Sequence, residues 1–328
     1  MFTFRNRMVP FAGAICYLSL ALFSQPASAA SCCGGGSATS LVLPKFSQSM
    51  WDVAVSMENY NGFWDSDGIY RDDPPDTDLN QYRLSLGYAM RLGSRWQAAV
   101  VMPYVWNSNQ YTGLSSSTRG LGDMTLGLTY EAFDDIKCVW KVRNWQDMVP
   151  AIYYGLALTV PTGISPYDNV ANSFDITGRG FYRLDANLLL DKTIYPWTAT
   201  LLMSYGRYLE RDVNREYGNY VEPYRKQLGD RFQATASLGY GVSLENMATV
   251  TLSLAYAHLQ EDAGKVAGGT DFSTEMEKNS VSATLAYANM DKDWIFKMIW
   301  SHASPYSGHG RNFPVTDIVT MEVSHVFH

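Results

Sequence analysis

Eight polar side chains are the candidates for contact with a solute, because they fall at inward or strand-end positions of alternating segments. Arginine can orient a hydroxyl or a carboxylate, and a nearby carboxylate can hold the guanidinium in place by pairing. The same groups could instead form salt bridges that fill a narrow interior, and the sequence leaves both interpretations open. The eight residues are Arg83, Asn107, Asp123, Arg183, Asp185, Asn187, Arg231 and Gln233.

His302 and Ser304 are a second set of residues whose types and spacing suggest chemistry. They lie two positions apart, and Asn312 follows in the same connecting segment. A serine becomes nucleophilic only beside a base that a third group orients, so these residues together could form a hydrolase site. Histidine and serine at the end of a strand are also common without catalysis. The sequence therefore predicts a protein that is not an enzyme.

No metal or cofactor site is predicted. Cys32 and Cys33 form a vicinal pair that could bind a soft metal, but no histidine or further cysteine lies nearby to complete a site. Six aspartates in residues 65–78 could hold divalent ions that bridge lipopolysaccharide, yet they lack the spacing of a calcium loop. The sequence also contains no phosphate-binding loop, zinc motif or haem attachment motif.

Alternating side chains predict that β-strands position all of these residues. In residues 120–133, Met124, Leu126 and Leu128 fall on one face, and Asp123 and Thr129 fall on the other. A period of two is the signature of a strand, and about ten residues suffice to cross a bilayer at a tilt. The pattern recurs in residues 50–58, 82–90, 96–106, 120–133, 151–160, 182–190, 197–205, 231–240, 249–258, 280–288, 294–302 and 316–327.

The composition narrows the class of protein. Hydrophobic residues make up 46% of the 328 residues and charged residues 17%, and no apolar run after the N-terminal segment reaches the ~18 residues of a transmembrane helix. A net charge of -7 argues against a nucleic-acid partner. Tryptophan and tyrosine recur near both ends of the segments, as in membrane aromatic girdles. The predicted fold class is all-β, a transmembrane antiparallel up-and-down β-barrel of about twelve strands, with a soluble β-sandwich as the alternative.

The connecting segments predict the orientation of this barrel. Four links are short turns and six are long and polar, which matches the short periplasmic turns and long external loops of outer-membrane barrels. The exception is residues 134–148, a longer periplasmic link that could be a short interfacial helix or an inserted loop. An even number of strands returns both termini to the periplasm.

The N-terminal region predicts export to the outer membrane. Residues 1–29 have the basic start, apolar stretch and small-residue end of a cleaved signal peptide. Residues 30–49 form a Cys/Gly-rich leader that could hang in the periplasm or fold into the lumen as a plug, and residues 50–328 form the barrel. The expected partners are outer-membrane lipid, lipopolysaccharide, a small-molecule solute, and the barrel-assembly machinery that reads a terminal aromatic such as Phe327.

Antiparallel register places inward charges opposite one another. Facing positions have a nearly constant sum of residue numbers, which predicts that Glu58 pairs with Arg83 and that Asp52 pairs with Arg91. The same reasoning brings Lys297 close to Glu322 on the last two strands.

Two short motifs carry a family resemblance. Gly120-Leu121-Gly122-Asp123 opens one strand, and Leu158-Thr159-Val160-Pro161-Thr162-Gly163 ends the next. Together they resemble the outer-membrane "meta-pathway of phenol degradation" family, which is similar to fatty-acid and aromatic-hydrocarbon transporters. The resemblance implies a channel for passive uptake of small, hydrophobic or aromatic solutes.

Two alternatives to uptake stay open. One is a structural barrel that its loops occlude. The other is an enzyme that resembles outer-membrane phospholipase A, a twelve-stranded barrel with a lipid-facing His-x-Ser. In this chain Pro305 follows the serine, where that family has Asn-Gly.

Overall fold

The computed structural model describes residues 41–44, 46–133 and 139–328. The predicted signal peptide and the thiols of Cys32, Cys33 and Cys138 lie outside these residues.

Within the described residues, twelve antiparallel strands close into a barrel, which confirms the predicted fold class. Each strand pairs with its neighbours in the chain, and the first pairs with the last from Ser49 opposite Phe327 onward, so the sheet has no free edge. The strands are β1 (Ser49–Trp64), β2 (Asp78–Arg91), β3 (Trp96–Tyr111), β4 (Met124–Phe133), β5 (Ala151–Val160), β6 (Arg183–Ile194), β7 (Trp197–Tyr208), β8 (Arg231–Ser243), β9 (Thr249–Glu261), β10 (Met276–Ala288), β11 (Trp294–His302) and β12 (Phe313–Phe327).

Each strand has one face toward lipid and one toward the lumen. On β2, Leu86 and Tyr88 are exposed on the outside, whereas Arg83 and Ala89 are buried on the inside. In a barrel that spans a bilayer the exposed apolar face meets lipid, so alternation is required along the whole membrane-spanning part of a strand.

Aromatic rings gather at both rims of the barrel. At the rim that the predicted topology assigns to the periplasm, called the periplasmic rim, Trp51 and Trp294 form an edge-to-face pair with ring centroids 5.6 Å apart. At the outer rim, Tyr82 stacks on Trp106 at 5.8 Å. Rings with an apolar body and a polar atom suit the membrane–water interface, so these pairs mark its two levels.

One predicted strand is wrong as a continuous element. Residues 120–133 divide into the end of a separate strand, Leu114–Leu121, and β4. The pairing with β3 shifts by one residue at Gly122 and Asp123, opposite Pro103, which lacks an N–H for the ladder. The Gly122 N–H still donates to the Pro103 carbonyl at 2.8 Å, and the resulting break turns Asp123 out of the regular strand pattern.

The predicted external loops contain more structure than polar composition indicates. Leu114–Leu121 extends β3 as a hairpin above the barrel, and Arg211–Glu216 pairs with Asn219–Gln227. That second hairpin continues through Gly264–Val266 and Gly269–Asp271 into a four-stranded sheet. The long polar links therefore form β-structure of their own.

The long periplasmic link is described from residue 139 onward. It contains a short 3₁₀ helix, Trp145–Met148, whose first turn is capped by the Asn144 side chain. Trp140 lies against Tyr195 with ring centroids 4.3 Å apart. Among the described residues, no helix has the length and apolar character needed to cross a membrane.

Candidate functional site: the barrel lumen

The leader enters the periplasmic end of the lumen. Leu43 is only 2% exposed and packs with Met50, Ala89 and Val326. Its backbone N–H donates to Gln97 Oε1 at 2.8 Å. The described part of the leader therefore lies inside the barrel wall rather than in the periplasm.

A cavity of about 470 Å³ lies in the lumen above the leader. Its lining combines apolar side chains, hydroxyl groups and four charged groups, so it can hold a solute with an apolar body and a polar end. The lining residues are Leu41, Val42, Pro44, Met50, Asp52, Thr129, Tyr153, Gly155, Asn187, Leu189, Asp191, Thr200, Leu202, Thr235, Ser237, Ile295, Lys297, Ile299, Glu322 and Ser324.

The segment after β5, residues 161–182, folds into the outer mouth of the barrel. Two inward amides of β3 hold its backbone: Asn107 Nδ2 donates to the Ile176 carbonyl at 2.9 Å, and Asn109 Nδ2 donates to the Phe174 carbonyl at 2.8 Å. Ile176 is buried, and Phe174 contacts Tyr111. We call residues 161–182 the inward loop.

Asp123 anchors this inward loop through its carboxylate. Oδ1 accepts from the Gly163 N–H at 3.1 Å, and Oδ2 accepts from the Arg179 N–H at 2.7 Å. Burial raises the pKa of the Asp123 carboxyl, and the two N–H groups oppose that shift. A Cβ on Gly178 would lie 2.2 Å from Asp123 Oδ1, so glycine is required for this close approach.

A buried ionic cluster closes the other side of the mouth. Arg179 makes two hydrogen bonds to the carboxylate of Glu261, and its Nη1 donates to Tyr208 Oη at 2.6 Å. Arg183 Nε donates to both oxygens of Asp185, at 2.8 and 3.0 Å, and its Nη1 donates to Tyr208 Oη at 3.1 Å. Burial disfavours the charge of Arg179, but Glu261 and Tyr208 outweigh it and raise the pKa of that guanidinium. The cluster therefore joins the inward loop to β6, β7 and β9.

The eight predicted residues divide between two levels of the lumen. Of the eight, Asn187 lines the cavity. Asn107 and Asp123 hold the inward loop, while Arg183 and Asp185 belong to the ionic cluster. The remaining three are also part of the mouth: Arg83 donates to Gln81, and Arg231 donates to Gln233 at 3.3 Å. Seven of the eight therefore lie in the mouth, where each makes a hydrogen bond to another group of the protein.

Two of the three predicted ion pairs are confirmed. Arg83 Nη2 lies 3.8 Å from Glu58 Oε2, and Lys297 Nζ bonds Glu322 Oε1. The pairing of Asp52 with Arg91 is wrong, because the register sets Asp52 opposite Gly87. Arg91 instead pairs with Glu131 of β4 at 3.1 Å.

Several lining residues of the cavity were not among the eight residues predicted to contact a solute, although three of them were predicted as members of ion pairs. Asp52, Lys297 and Glu322 fall at inward positions by parity, but parity does not rank one inward residue above another. The predicted strand ends at residue 190, whereas the structure places Asp191 in β6, opposite Ala151. The signal that could have identified it is its spacing of four residues from Asn187, on the same face.

The histidine, serine and asparagine considered for hydrolysis do not converge. His302 Nδ1 lies 2.8 Å from Asp317 Oδ1, and the ring stacks on Trp300. Asn312 Nδ2 donates hydrogen bonds to the carbonyls of Ser273 and Glu275, at 3.1 and 2.8 Å. Across the described ranges, no hydrogen bond joins the Ser304 hydroxyl to His302. The arrangement is a histidine–aspartate pair at the outer rim.

Comparisons with known proteins agree with the barrel architecture. A family model described as "Putative MetA-pathway of phenol degradation" matches residues 76–305. An outer-membrane channel from Pseudomonas putida F1 superposes with a TM-score of 0.65 at 15% identity, covering 88% of this chain and 100% of that one. The β-domain of the Bordetella autotransporter BrkA gives a TM-score of 0.50 at 12% identity, covering 85% of this chain and 100% of that one. No curated protein sequence matches the chain. The structural likenesses show an outer-membrane β-barrel fold.

Proposed function

Since the chain belongs to the MetA-pathway of phenol degradation family over residues 76–305, we propose that it is an outer-membrane channel for passive uptake of small solutes with a hydrophobic or aromatic body. Such solutes cross a lipopolysaccharide layer slowly, so a protein path through the barrel accelerates their entry. The relative from Pseudomonas putida F1 is itself described as an outer-membrane channel, which supports the proposal.

The cavity is the observation that carries this proposal. Its volume of about 470 Å³ is within the ~300–1,000 Å³ of small-molecule pockets. Leu189, Leu202, Ile295 and Ile299 give it an apolar wall, and the polar residues beside them can satisfy one substituent of a solute. Weak binding in such a chamber favours transport, because a solute must leave as well as enter.

The proposed path begins at the outer mouth and ends beside the leader. Arg83, Arg183, Arg231 and Gln233 would contact the solute in the mouth, and Asn187 would contact it in the cavity. Asp123 would act through the inward loop, because both of its oxygens accept from that loop's backbone.

A structural barrel with an occluded lumen is the second candidate. It is favoured by the packing at both ends, with Leu43 at the periplasmic end and the buried Trp64 near the outer mouth. The two candidates differ in one measurable property, which is whether solutes pass through the lumen.

A pair of adjacent substitutions tests passage. Ser237 lines the cavity, whereas Leu238 lies on the lipid-facing side of β8. Ser237→Trp should fill the cavity and reduce uptake of an aromatic probe, while Leu238→Trp should leave uptake at the wild-type rate. Initial uptake would be compared in cells at matched expression, with a strain that lacks the protein as the baseline. Equal rates in all four strains would support the occluded barrel instead.

A further inference from the structure

We infer that Thr235 is the residue with which the cavity selects solutes that carry a hydroxyl group on an apolar body over hydrocarbons of the same shape. The inference rests on the proposed function, because it names a selective contact inside the channel that a solute would cross.

The Thr235 hydroxyl is buried at the cavity without a partner. Thr235 is 4% exposed and lines the cavity, and its Oγ1 makes no hydrogen bond to any described residue. Buried hydroxyls without a partner also occur at Thr159, Ser282 and Thr284, but these three residues do not line the cavity. Within the described part of the chain, Thr235 alone combines an unpaired buried polar atom with a place beside space of solute size.

The strand register explains why neighbouring side chains do not satisfy this hydroxyl. Thr235 on β8 lies opposite Leu202 on β7 and opposite Ala257 on β9, and neither of these side chains has a polar atom. Leu202 lies in turn opposite Leu189 on β6. The hydroxyl is therefore placed beside an apolar stretch of the cavity wall, where an apolar body can also pack.

Two other hydroxyls of the cavity already donate to carboxylates. Ser324 Oγ donates to Asp52 Oδ2 at 2.7 Å. Thr200 Oγ1 donates to Asp191 Oδ1 at 3.0 Å. A solute that accepted a hydrogen bond from either group would have to displace a carboxylate, whereas a bond to Thr235 displaces no protein contact.

The position of Thr235 along β8 suits a selective contact. Inward side chains of a strand are two residues apart, and those that follow one another here are Arg231, Gln233, Thr235 and Ser237. Arg231 donates to Gln233 in the mouth, whereas Thr235 and Ser237 line the cavity. A solute that moves inward along β8 would therefore meet Thr235 as the first cavity residue of this strand.

Burial makes the contact with Thr235 selective. A threonine hydroxyl both donates and accepts, so it can bond the hydroxyl of an alcohol or a phenol in either direction. A hydrocarbon of the same shape would cover the Thr235 hydroxyl and leave it unpaired, which disfavours binding. Leu189 and Leu202 would contact the apolar body in both cases, so the hydroxyl accounts for the difference in affinity.

Two fluorinated probes of nearly equal shape test the inference. The probes para-fluorobenzyl alcohol and para-fluoroethylbenzene differ in having a hydroxyl or a methyl group at the same position. Fluorine NMR titration would measure the affinity of each probe for the purified protein in detergent micelles, with empty micelles as the baseline. The ratio of the affinity for the alcohol to that for the hydrocarbon should be higher for the wild type than for empty micelles.

Substitutions at Thr235 assign this ratio to one hydroxyl. Thr235→Val and Thr235→Ala remove the hydroxyl and should each lower the ratio about fivefold, as expected for the loss of one hydrogen bond. Thr235→Ser keeps the hydroxyl and should keep the ratio within about twofold of the wild type. The control is Thr284→Val, which removes a hydroxyl that is also buried and unpaired but lies outside the cavity lining, and it should leave the ratio unchanged. Heat-modifiable mobility on gels would check that each variant has folded into a barrel.

Three results would overturn the inference. The first is a wild-type ratio no higher than that of empty micelles. The second is an unchanged ratio in a folded Thr235→Val or Thr235→Ala variant, which would show that water rather than a solute satisfies the hydroxyl. The third is an equal fall in Thr284→Val, which would show that the effect does not arise in the cavity.

This inference and the proposed channel can fail separately. If Ser237→Trp reduces uptake of an aromatic probe while the Thr235 variants keep the wild-type ratio, the selective contact is refuted and the channel stands. If neither probe binds and uptake equals that of the strain without the protein, both are refuted.

Discussion

The ion pair between Arg179 and Glu261 should be the strongest single attachment of the inward loop to the barrel wall. The side chains of Arg179 and Glu261 are 10% and 3% exposed, and two hydrogen bonds join them. Removing one partner of such a buried pair leaves an uncompensated charge and typically costs 3–5 kcal/mol. Glu261→Gln keeps one acceptor oxygen, so we expect the free energy of unfolding to fall by about 3 kcal/mol, at the low end of that range.

The assay is denaturant unfolding of the protein in lipid vesicles, followed by tryptophan fluorescence. The control is Glu210→Gln, the same change in an exposed pair, because Glu210 bonds Arg225 at 3.0 Å with both side chains about half exposed or more. The Glu210→Gln control should lower the free energy of unfolding by less than about 1 kcal/mol. Hydrogen exchange should also increase in residues 161–182 of the Glu261 variant. Equal free energies of unfolding in the two variants would refute the assignment of Arg179 as an anchor.

Two further predictions concern the placement of the chain in the membrane. Leu86→Arg puts a charge on the lipid face of β2 and should cost about 2–4 kcal/mol of folding free energy. Ser85→Arg places its charge on the inward face, so this variant should assemble nearly as well as the wild type. Equal losses in assembly would show that the assigned faces are wrong. An epitope inserted after Asp67 should be labelled by an antibody on intact cells. An epitope placed in residues 289–293 should be labelled only after the outer membrane is permeabilised. The reverse pattern would show that the predicted orientation of the barrel is wrong.

The barrel itself was predictable because lipid constrains every second residue of a spanning strand. The bounds of β5 and β11 agree with the predicted segments at both ends. Above the membrane that constraint ends, and the hairpin of Arg211–Glu216 with Asn219–Gln227 carries no clear alternation. Its residues were therefore predicted as a loop.

Across strands that a long external link joins, one predicted register is correct and another is wrong. Lys297 and Glu322 face each other across β11 and β12. β1 and β2 are joined by a long external link, and β1 contains Gly62 at a positive φ of 87°. The sum of residue numbers stays constant from Ser49 to Asn59, but Asp52 pairs with Gly87 rather than with Arg91, so the predicted register is wrong by four positions. Arg83 still reaches Glu58 from a diagonal position opposite Ser56.

The cavity could not be predicted, since it depends on where the leader and the inward loop fold. Nothing in the spacing of residues 41–49 indicates that Leu43 enters the lumen. The motif at Gly120–Gly122 is followed by Asp123, whose carboxylate accepts from the Gly163 N–H in the inward loop, forty residues later in the chain. Long-range contacts of this kind leave no local period in the sequence.

Photolabelling of the lumen tests the central claim most directly. Intact cells would be illuminated with an aryl diazirine, and labelled residues would be mapped with and without excess phenol. Passage through the cavity predicts labels at Tyr153, Thr235 and Ile299 that phenol suppresses, beside unsuppressed labels at lipid-facing Leu156 and Leu285. Labels confined to the lipid-facing residues, or cavity labels that phenol does not reduce, would contradict the account.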